Sequence, residues 1–300
     1  MKKLSKVFSA LFCIMLLSAC AAGIQNDETE VRQESTTGVE IEEKDGEEYF
    51  LFQDVEENTY RAELLENVPR NTYDFSHMSV DENTGFRTYH DEENGITSRM
   101  GIDVSEFQGE EIDWEQVRKS GIEFVIIRLG YRAYGESGDL VLDDMFDKNI
   151  KGAMDAGLDT GVYFFSQAVT PTEAVEEAEF VLDHIRPYDI EGPVVYDTEE
   201  IKGDTARTDG NTRQDFTNYC KVFCGTIEHA GYDSMIYANM KWMAFTLDME
   251  ELTDYRFWYA DYHELPQCPY EYTIWQYSEN GTVPGINTPV DLNIWFQKEG

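Results

Sequence analysis

Apolar positions follow two different rhythms along residues 100–297. Short apolar runs, rich in Val, Ile, Phe and Tyr, alternate with longer stretches in which apolar residues recur every three to four positions. The short runs are typical of buried strands and the longer stretches of amphipathic helices. The predicted strands are MGIDVS, EFVIIRLG, TGVYFFS, GPVVYDTE, SMIYAN, RFWYADY, YTIWQYS and VDLNIWF, and the predicted helices span 113–120, 143–156, 171–186 and 211–230.

This alternation predicts an α/β fold in which helices cover a mostly parallel sheet. Eight strands in about 200 residues indicate a compact (β/α) TIM-like barrel. The last predicted strands are separated by only about ten residues each, several of them prolines. A parallel crossover usually needs about a dozen or more residues, mostly helical. We therefore expect an irregular barrel whose final strands are connected by loops, with some antiparallel pairing.

The first twenty residues are predicted to be a targeting signal. Lysines precede an apolar run at 7–17, and small residues follow it. This order is typical of a secretory signal peptide, and the run is short for a membrane span. The sequence LSAC at its end resembles the bacterial lipoprotein box, which implies removal of residues 1–19 and lipidation of Cys20. The lipid would then tether the protein to the outer face of the cell membrane. An ordinary signal peptide that contains a cysteine is the alternative.

Between the signal and the barrel, composition divides the chain again. Residues 20–48 are polar and acidic, with almost no aromatics, and predict a disordered tether. Residues 49–99 are expected to form a small lead-in segment packed on the main domain, which spans 100–300. Within the lead-in segment, YFLFQDV predicts a strand, and the pair Asn94-Gly95 favours a hairpin turn.

The formal net charge of −37 limits the partners. Binding to nucleic acid depends on Lys and Arg that displace counterions from phosphates, so nucleic acid is excluded as a partner. The same charge repels other polyanions within about one Debye length, ~8 Å in physiological salt. Polyanionic targets must therefore be held by short-range contacts or by tethering. We expect a monomer that needs no cofactor.

The cysteines beyond Cys20 fit a structural role. Cys220 and Cys224 share one face of a predicted helix with Phe216 and Phe223, where buried cysteine acts as a small apolar residue. Zinc would require further ligands at close spacing. We therefore predict no metal site.

Acidic residues occur at the ends of several predicted strands. Asp103 lies near the end of the first strand, Asp197 and Glu199 at the tail of the fourth, and Asp291 at the start of the last. Catalytic residues of such barrels lie where the parallel strands end. Residues two apart on a strand face the same side, which predicts that Asp197 and Glu199 point into one cleft. Since a barrel closes its first strand against its last, Asp103 and Asp291 are expected to be neighbours.

Clustered carboxylates fit several kinds of chemistry. Neighbouring negative charges raise the pKa of one carboxyl, which keeps it protonated and able to act as a general acid on a glycosidic oxygen. Calcium sites usually draw their ligands from one short loop, whereas these acids are spread over about 190 residues. Each acid taken alone has a simpler interpretation as a solvated surface group.

The ordered motifs resemble glycoside hydrolase family 25, the muramidase-type lysozymes of bacteria and phages. The resemblance covers about residues 100–297. It is carried by GIDVS, the following QG and IDW, NIKGAMDAGLDTGVYFFS, VVYDTE with its D-x-E signature, WYADY, and WQYSENGTVPGINTPVDLNIWF.

This resemblance implies catalytic roles for four acids. Glu199 would donate a proton to the leaving sugar oxygen, and Asp197 would orient or stabilise the reacting sugar. Asp103 and Asp291 would complete the acidic floor of the site. Attack on the anomeric carbon by a protein carboxylate and attack by the acetamido group of the substrate remain open as alternatives.

Aromatic and amide side chains near the same strand ends are candidates for sugar binding, because the apolar faces of sugars pack on aromatic rings and their polar groups need donors and acceptors. Packing within the core is the alternative role for each ring. Arg128 is expected to pair with the acidic floor, since a buried charge needs a partner. The candidate substrate-binding residues are Tyr131, Tyr163, Trp258, Tyr262 and Gln276.

The resemblance therefore implies a cell-wall hydrolase. It would cleave the β-1,4 bond between N-acetylmuramic acid and N-acetylglucosamine in the glycan strands of peptidoglycan. A catalytically silent glycan-binding lipoprotein is the main alternative, since the acidic charge disfavours tight adsorption to an anionic wall. An enzyme acting on chitin-like glycans is less favoured, because the longer acidic motif of chitinase-type barrels is absent from VVYDTEE.

Overall fold

The computed structural model describes residues 30–33 and 39–298. The signal peptide predicted over 1–19 and the lipidation site predicted at Cys20 lie outside these residues. The helices within these described residues are too short or too polar to span a lipid bilayer.

Antiparallel strands come first along the chain, and alternating strands and helices follow them. The strands are β1 (Glu30–Gln33), β2 (Glu40–Lys44), β3 (Glu47–Gln53), β4 (Thr59–Glu63), β5 (Met78–Val80), β6 (Arg87–Asp91), β7 (Ile96–Val104), β8 (Phe124–Arg132), β9 (Leu140–Leu142), β10 (Asp159–Phe165), β11 (Val194–Asp197), β12 (Ser234–Asn239), β13 (Phe257–Ala260), β14 (Ile274–Gly281) and β15 (Val290–Lys298). The helices are α1 (Trp114–Lys119), α2 (Phe146–Asp155), α3 (Pro171–Ile185), α4 (Arg213–His229) and α5 (Met240–Phe245).

Eight of these strands close into a barrel. They lie in the order β7, β8, β10, β11, β12, β13, β14 and β15, and β15 pairs with β7 to complete the ring. Neighbours from β7 to β14 run parallel, whereas β15 is antiparallel to both of its neighbours. No helix lies between β13, β14 and β15. The predicted irregular α/β barrel with loop-connected final strands is confirmed, and each of the eight apolar runs contributes one of its strands.

Side chains of β8 alternate between two cores. Phe124 and Ile126 pack inside the barrel, whereas Val125 and Ile127 belong to the core between the strands and the helices. A strand buried on both faces reads as a continuous apolar run, which is the pattern seen in the sequence. Gly101 on β7 makes room for the inner core, because a Cβ atom there would lie 2.3 Å from the ring of Phe124.

Helices α3 and α4 each carry a clear sequence signal. Helix α3 starts with Pro171, and the hydroxyl of Thr170 caps it by accepting a hydrogen bond from the backbone N–H of Glu173. Helix α4 buries Cys220 and Cys224, both free thiols, on the face toward the barrel.

In the part of the chain that the structure describes, no group of three or more His, Cys, Asp or Glu side chains is arranged to hold a metal ion.

Strands β1 to β4 form a separate antiparallel sheet. Residues 20–48 were predicted to form a disordered tether, and the structure corrects this, since 30–33 form β1 and most of 40–48 lie in β2 and β3. Ile41 alternates with acidic residues and is buried, so the period-two pattern outweighs the acidic composition. The sheet packs on the barrel through aromatic side chains. The ring of Phe50 lies 5.9 Å from that of Tyr270.

Strands β5 and β6 continue the barrel sheet beyond β7. Strand β6 pairs antiparallel with β7. The connection between them contains Asn94 and Gly95, and Gly95 has a positive φ of 61°. The hairpin predicted at this pair is therefore confirmed.

Candidate active site

The four acids singled out in the sequence lie together at one end of the barrel. Asp103 on β7 is the register partner of Asp291 on β15. Because β15 is antiparallel to β7, its first residues reach the end at which the parallel strands finish. Asp197 is the last residue of β11, and Glu199 follows two positions later. The charge of Asp103 raises the pKa of each of the other three carboxyls, in addition to the effect of burial, so the four groups form one cluster.

Asp103 is held from several directions. Its Oδ2 accepts hydrogen bonds from Nε2 of Gln276 at 2.9 Å and from Nδ2 of Asn293 at 2.8 Å. Burial raises the pKa of Asp103, while these amides and a hydrogen bond from Asp291 oppose that shift. Hydrogen bonds donated to a carboxylate favour its charged form. Asp103 is therefore the member of the pair best placed to carry the negative charge.

Asp291 is best placed to carry the proton that the pair shares. Burial, the charge of Asp103 and the hydrogen bond to it raise the pKa of Asp291 to about 9. Like charges so close together disfavour joint ionisation. At neutral pH the pair therefore carries one proton, which Asp291 donates toward Asp103.

Glu199 is the half-buried acid that lines an open cleft. Burial and the charge of Asp103 raise the pKa of Glu199 to about 7, and Lys202 partly offsets the shift. A carboxylic acid with this pKa is substantially protonated at neutral pH. Glu199 combines a proton with access to a ligand, which are the two requirements of a general acid.

Asp197 lies deeper, with its side chain buried. Burial, and then the charges of Glu199 and Asp103, raise its pKa well above the ordinary value. Of these two acids, Glu199 is the one that lines the cleft. Among the described residues, Oδ1 of Asp197 has no hydrogen-bond partner. This buried oxygen therefore keeps an unused capacity to accept a hydrogen bond.

A cleft of about 950 Å³ opens beside the cluster. One side is lined by Glu199 and by residues that follow β12 and β13 in the barrel, and the other by residues of β3, β4 and their connection. Tyr237 and Tyr262 also line it, and both hydroxyls donate to Oε1 of Gln276, at 3.0 and 2.8 Å. Because Gln276 in turn holds Asp103, the cleft wall and the acids are joined in one network.

The predicted sugar-binding residues occupy different positions. Tyr262 faces the cleft, whereas Trp258, 2% exposed, and Gln276, 4% exposed, lie beneath it. Tyr163 packs edge-on against Trp258 with ring centroids 6.0 Å apart, and its phenol pKa is raised well above the ordinary value by burial and then by Asp103. Tyr131 lies next to Arg128, and the centre of its ring is 5.5 Å from the guanidinium carbon of Arg128.

Two further residues of the network were not singled out in the sequence. Asn293 bridges the indole N–H of Trp258, at 2.8 Å, to Asp103. Its signal was present, since Asn293 lies two positions after Asp291 on the same strand and so shares its face. Tyr237, the other residue, stands in an apolar run and reads as core.

The expected partner of Arg128 was wrong. Its guanidinium binds Oδ2 of Asp143 at 2.7 Å and Oε1 of Glu106 at 2.8 Å, rather than the acidic floor. Asp143 is fully buried and precedes helix α2, which places it beside β8. Among the described residues, Arg128 thus forms no ion pair with the four acids, and burial together with their mutual charge raises their pKa values.

Known proteins resemble this chain over the barrel. The family model described as Glycosyl hydrolases family 25 matches residues 102–286. YegX of Escherichia coli K12 is 28% identical over 198 residues, which cover 65% of this chain and 68% of YegX. The autolytic lysozyme of Clostridium acetobutylicum is 27% identical over 194 residues, 64% of this chain and 54% of that protein.

Solved structures agree on the fold. The modular autolysin LytC from Streptococcus pneumoniae, solved with a synthetic peptidoglycan ligand, superposes with a TM-score of 0.59 at 22% identity. The match covers 84% of this chain and 57% of LytC. This chain thus spans little more than half the length of LytC and of the clostridial lysozyme.

Proposed function

The chain belongs to glycosyl hydrolase family 25, and from this membership and the acid cluster we propose that it cleaves peptidoglycan as a muramidase. The bond would be the β-1,4 linkage between N-acetylmuramic acid and N-acetylglucosamine. One observation carries the proposal: Glu199, an acid with a pKa raised to about 7, lies between a cluster of three further carboxyls and an open cleft.

Glu199 is the proposed general acid. The uncharged carboxyl faces the cleft, donates its proton to the glycosidic oxygen and so lets the leaving sugar depart as an alcohol. Asp103 supports this role, because its negative charge raises the pKa of Glu199 and keeps the proton in place near neutrality. The amides of Gln276 and Asn293 hold Asp103 in position.

Asp197 is the proposed partner of the reacting sugar. Its buried, unpaired Oδ1 is suited to accept the N–H of the 2-acetamido group, which would orient that group beside the anomeric carbon. Attack by the acetamido oxygen and attack by a protein carboxylate both start with the same proton donation. The role proposed for Glu199 holds in either route, and Asp291 keeps the proton shared with Asp103.

Two relatives support the choice of substrate. One is named an autolytic lysozyme, and LytC, an autolysin, was solved with a synthetic peptidoglycan ligand. The tyrosines that line the cleft suit the same substrate, since sugar rings pack on aromatic faces and the acetamido groups need hydrogen-bonding partners.

We further propose that the enzyme works outside the cell membrane, anchored by a lipid on Cys20 after removal of residues 1–19. The order of charged, apolar and small residues supports this location. Mass spectrometry of the mature N-terminus tests it: a diacylglyceryl group on Cys20 is expected, and an unmodified N-terminus at another residue would contradict the anchor.

The rate of hydrolysis should fall on the alkaline side of neutrality. Because Glu199 acts in its protonated form with a pKa of about 7, kcat/KM should decrease about tenfold per pH unit above that value. Initial rates on soluble glycan strands at constant ionic strength measure this. A profile that stays flat up to pH 9 would show that Glu199 is not the proton donor.

Turnover separates the proposed enzyme from a silent glycan-binding protein. Purified peptidoglycan is incubated with the chain lacking residues 1–19, and soluble glycan and new reducing ends are measured over time. We expect both to increase in proportion to protein concentration. Binding to the insoluble wall without release of reducing ends would favour the binding protein instead.

A further inference from the structure

We propose that the hairpin connecting β3 to β4, residues 53–59, is a glycan-binding wall of the active-site cleft, an inference that rests on the proposed function. The family model matches only residues 102–286, so this wall belongs to a part of the chain that precedes the match. The separate four-stranded sheet would thereby take part in substrate binding.

The hairpin and the proposed acid face the same cavity. Gln53, Val55 and Glu56 line the cleft of about 950 Å³ that Glu199 also lines. Clefts that bury a drug-sized ligand measure roughly 300–1,000 Å³, so this one has room for more than a single sugar ring. A glycan strand placed with its scissile bond at Glu199 would therefore extend toward the hairpin.

Paired amide contacts fix the hairpin to the barrel. The backbone N–H of Gln53 donates to Oε1 of Gln267 at 2.8 Å, and Nε2 of Gln267 donates to the backbone carbonyl of Gln53 at 3.1 Å. The backbone N–H of Gln267 in turn donates to Oδ2 of Asp261, which follows β13 directly. The start of the hairpin is thus tied to the end of a barrel strand.

The turn itself is tightly organised. Oδ1 of Asp54 accepts hydrogen bonds from the backbone N–H groups of Glu56, at 2.9 Å, and Asn58, at 3.0 Å. Glu57 adopts a left-handed conformation with φ of 63°, which a non-glycine residue keeps only where its surroundings impose it. The wall is therefore formed before any ligand binds, and this lowers the entropy cost of binding.

Aromatic packing supports the same element from behind. Phe52 and Tyr60 stack with ring centroids 5.3 Å apart, and each lies 6.0 Å from the ring of Phe245 after β12. The hydroxyl of Tyr60 donates to Asp54 at 3.0 Å and so links this packing to the turn. The hairpin is held by the barrel at both of its ends.

The chemistry of the exposed tip fits an uncharged sugar, such as the N-acetylglucosamine units of the strand. Val55 is 61% exposed although it is apolar, and the C–H face of a sugar ring can cover it. The charge of Glu56 is partly offset by Lys202, whose Nζ lies 3.5 Å from its carboxylate across the cleft. The backbone and amide groups around Gln53 provide polar partners for ring hydroxyls.

A single substitution at the tip tests the inference. We expect Val55→Ser to raise KM about fivefold on long peptide-free glycan strands, because one aliphatic contact with the sugar is lost. The increase should shrink as the strands are shortened and should be smallest for the shortest strand that the protein cleaves. Val80→Ser is the matched control, since Val80 is 56% exposed on β5 and does not line the cleft.

The outcomes keep this inference separate from the proposed function. Equal KM values for wild type and Val55→Ser at every strand length would overturn it. If the wild type cleaves no glycan, the proposed function fails. The Kd values of the wild type and the two variants for long strands then test whether the hairpin binds glycan. A fivefold weaker Kd in Val55→Ser, with no change in Val80→Ser, supports the wall, and equal Kd values overturn it.

Discussion

Glu199→Gln is expected to reduce kcat on peptidoglycan by about 10²–10⁴-fold, the usual contribution of a positioned general acid. Glutamine keeps the size and most contacts of the side chain, but its amide cannot protonate the leaving oxygen. The fold should be unaffected, because the substitution removes an ionisable group that burial and Asp103 already disfavour in its charged form. Reducing ends released per minute at saturating substrate measure the loss.

Glu200→Gln is the matched control, since it makes the same chemical change one residue later. Glu200 is exposed at the rim of the cleft, and its carboxylate lies 3.6 Å from Nζ of Lys241, a surface pair of little energetic weight, so it is not held beside the buried acids. We expect a rate close to that of the wild type. Comparable rates for Glu199→Gln and the wild type would remove Glu199 from the proposed role.

Asp291→Asn is expected to make the protein more stable at alkaline pH and its stability less dependent on pH. The pKa of Asp291 is raised to about 9 in the folded state, mainly by burial and by Asp103, whereas an ordinary Asp titrates near ~3.9. Between these values the folded protein binds a proton that the unfolded chain has released. This contribution to stability is complete below the unfolded pKa and declines as pH rises toward 9, by up to ~1.4 kcal/mol per pH unit.

Urea unfolding at a series of pH values measures the effect. Subtracting the curves of wild type and Asp291→Asn removes the background from other acids, including the repulsion within a chain of net charge −37. Asp183→Asn is the control, because Asp183 is exposed and lies in a surface pair with Arg186 at 3.0 Å. A difference between wild type and Asp291→Asn that does not change between pH 5 and 9 would contradict the shared proton.

Much of the barrel could be predicted because each strand carries its own signal. Strands buried on both faces must be continuously apolar, and the helices between them repeat their apolar positions every three to four residues. The short, proline-containing connections between the last predicted strands indicated that loops, rather than helices, join them. The same change explains Asp291, which precedes most of its strand yet reaches the acid cluster because β15 is antiparallel.

The contacts around the acids could not be predicted in the same way. Asp143 and Glu106 pair with Arg128 because the start of helix α2 and a short turn after β7 approach β8, and no local pattern encodes that approach. The polar contact of Tyr237 could not be predicted either, because its apolar neighbours in sequence indicate a core residue, although its hydroxyl donates to Gln276. Local sequence specifies which face a side chain occupies, while long-range packing decides what it meets there.

The four-stranded sheet includes residues that their composition predicted to be disordered. Residues 40–48 are rich in acids, which favours disorder, but an alternating apolar residue in each strand buries enough surface to build a sheet against the barrel. The sheet contributes to the cleft through Phe52, Gln53 and Tyr60, and its position there depends on contacts across more than 200 positions, as between Gln53 and Gln267.

The identity of the sugar at the new reducing end tests the central claim most directly. Purified peptidoglycan is digested with the protein, the products are reduced with borohydride, and the terminal sugar alcohols are identified by mass spectrometry. We expect N-acetylmuramitol ends in the wild-type digest and none above background with Glu199→Gln. N-acetylglucosaminitol ends, or N-acetylmuramitol ends produced equally by Glu199→Gln, would contradict the proposed muramidase activity.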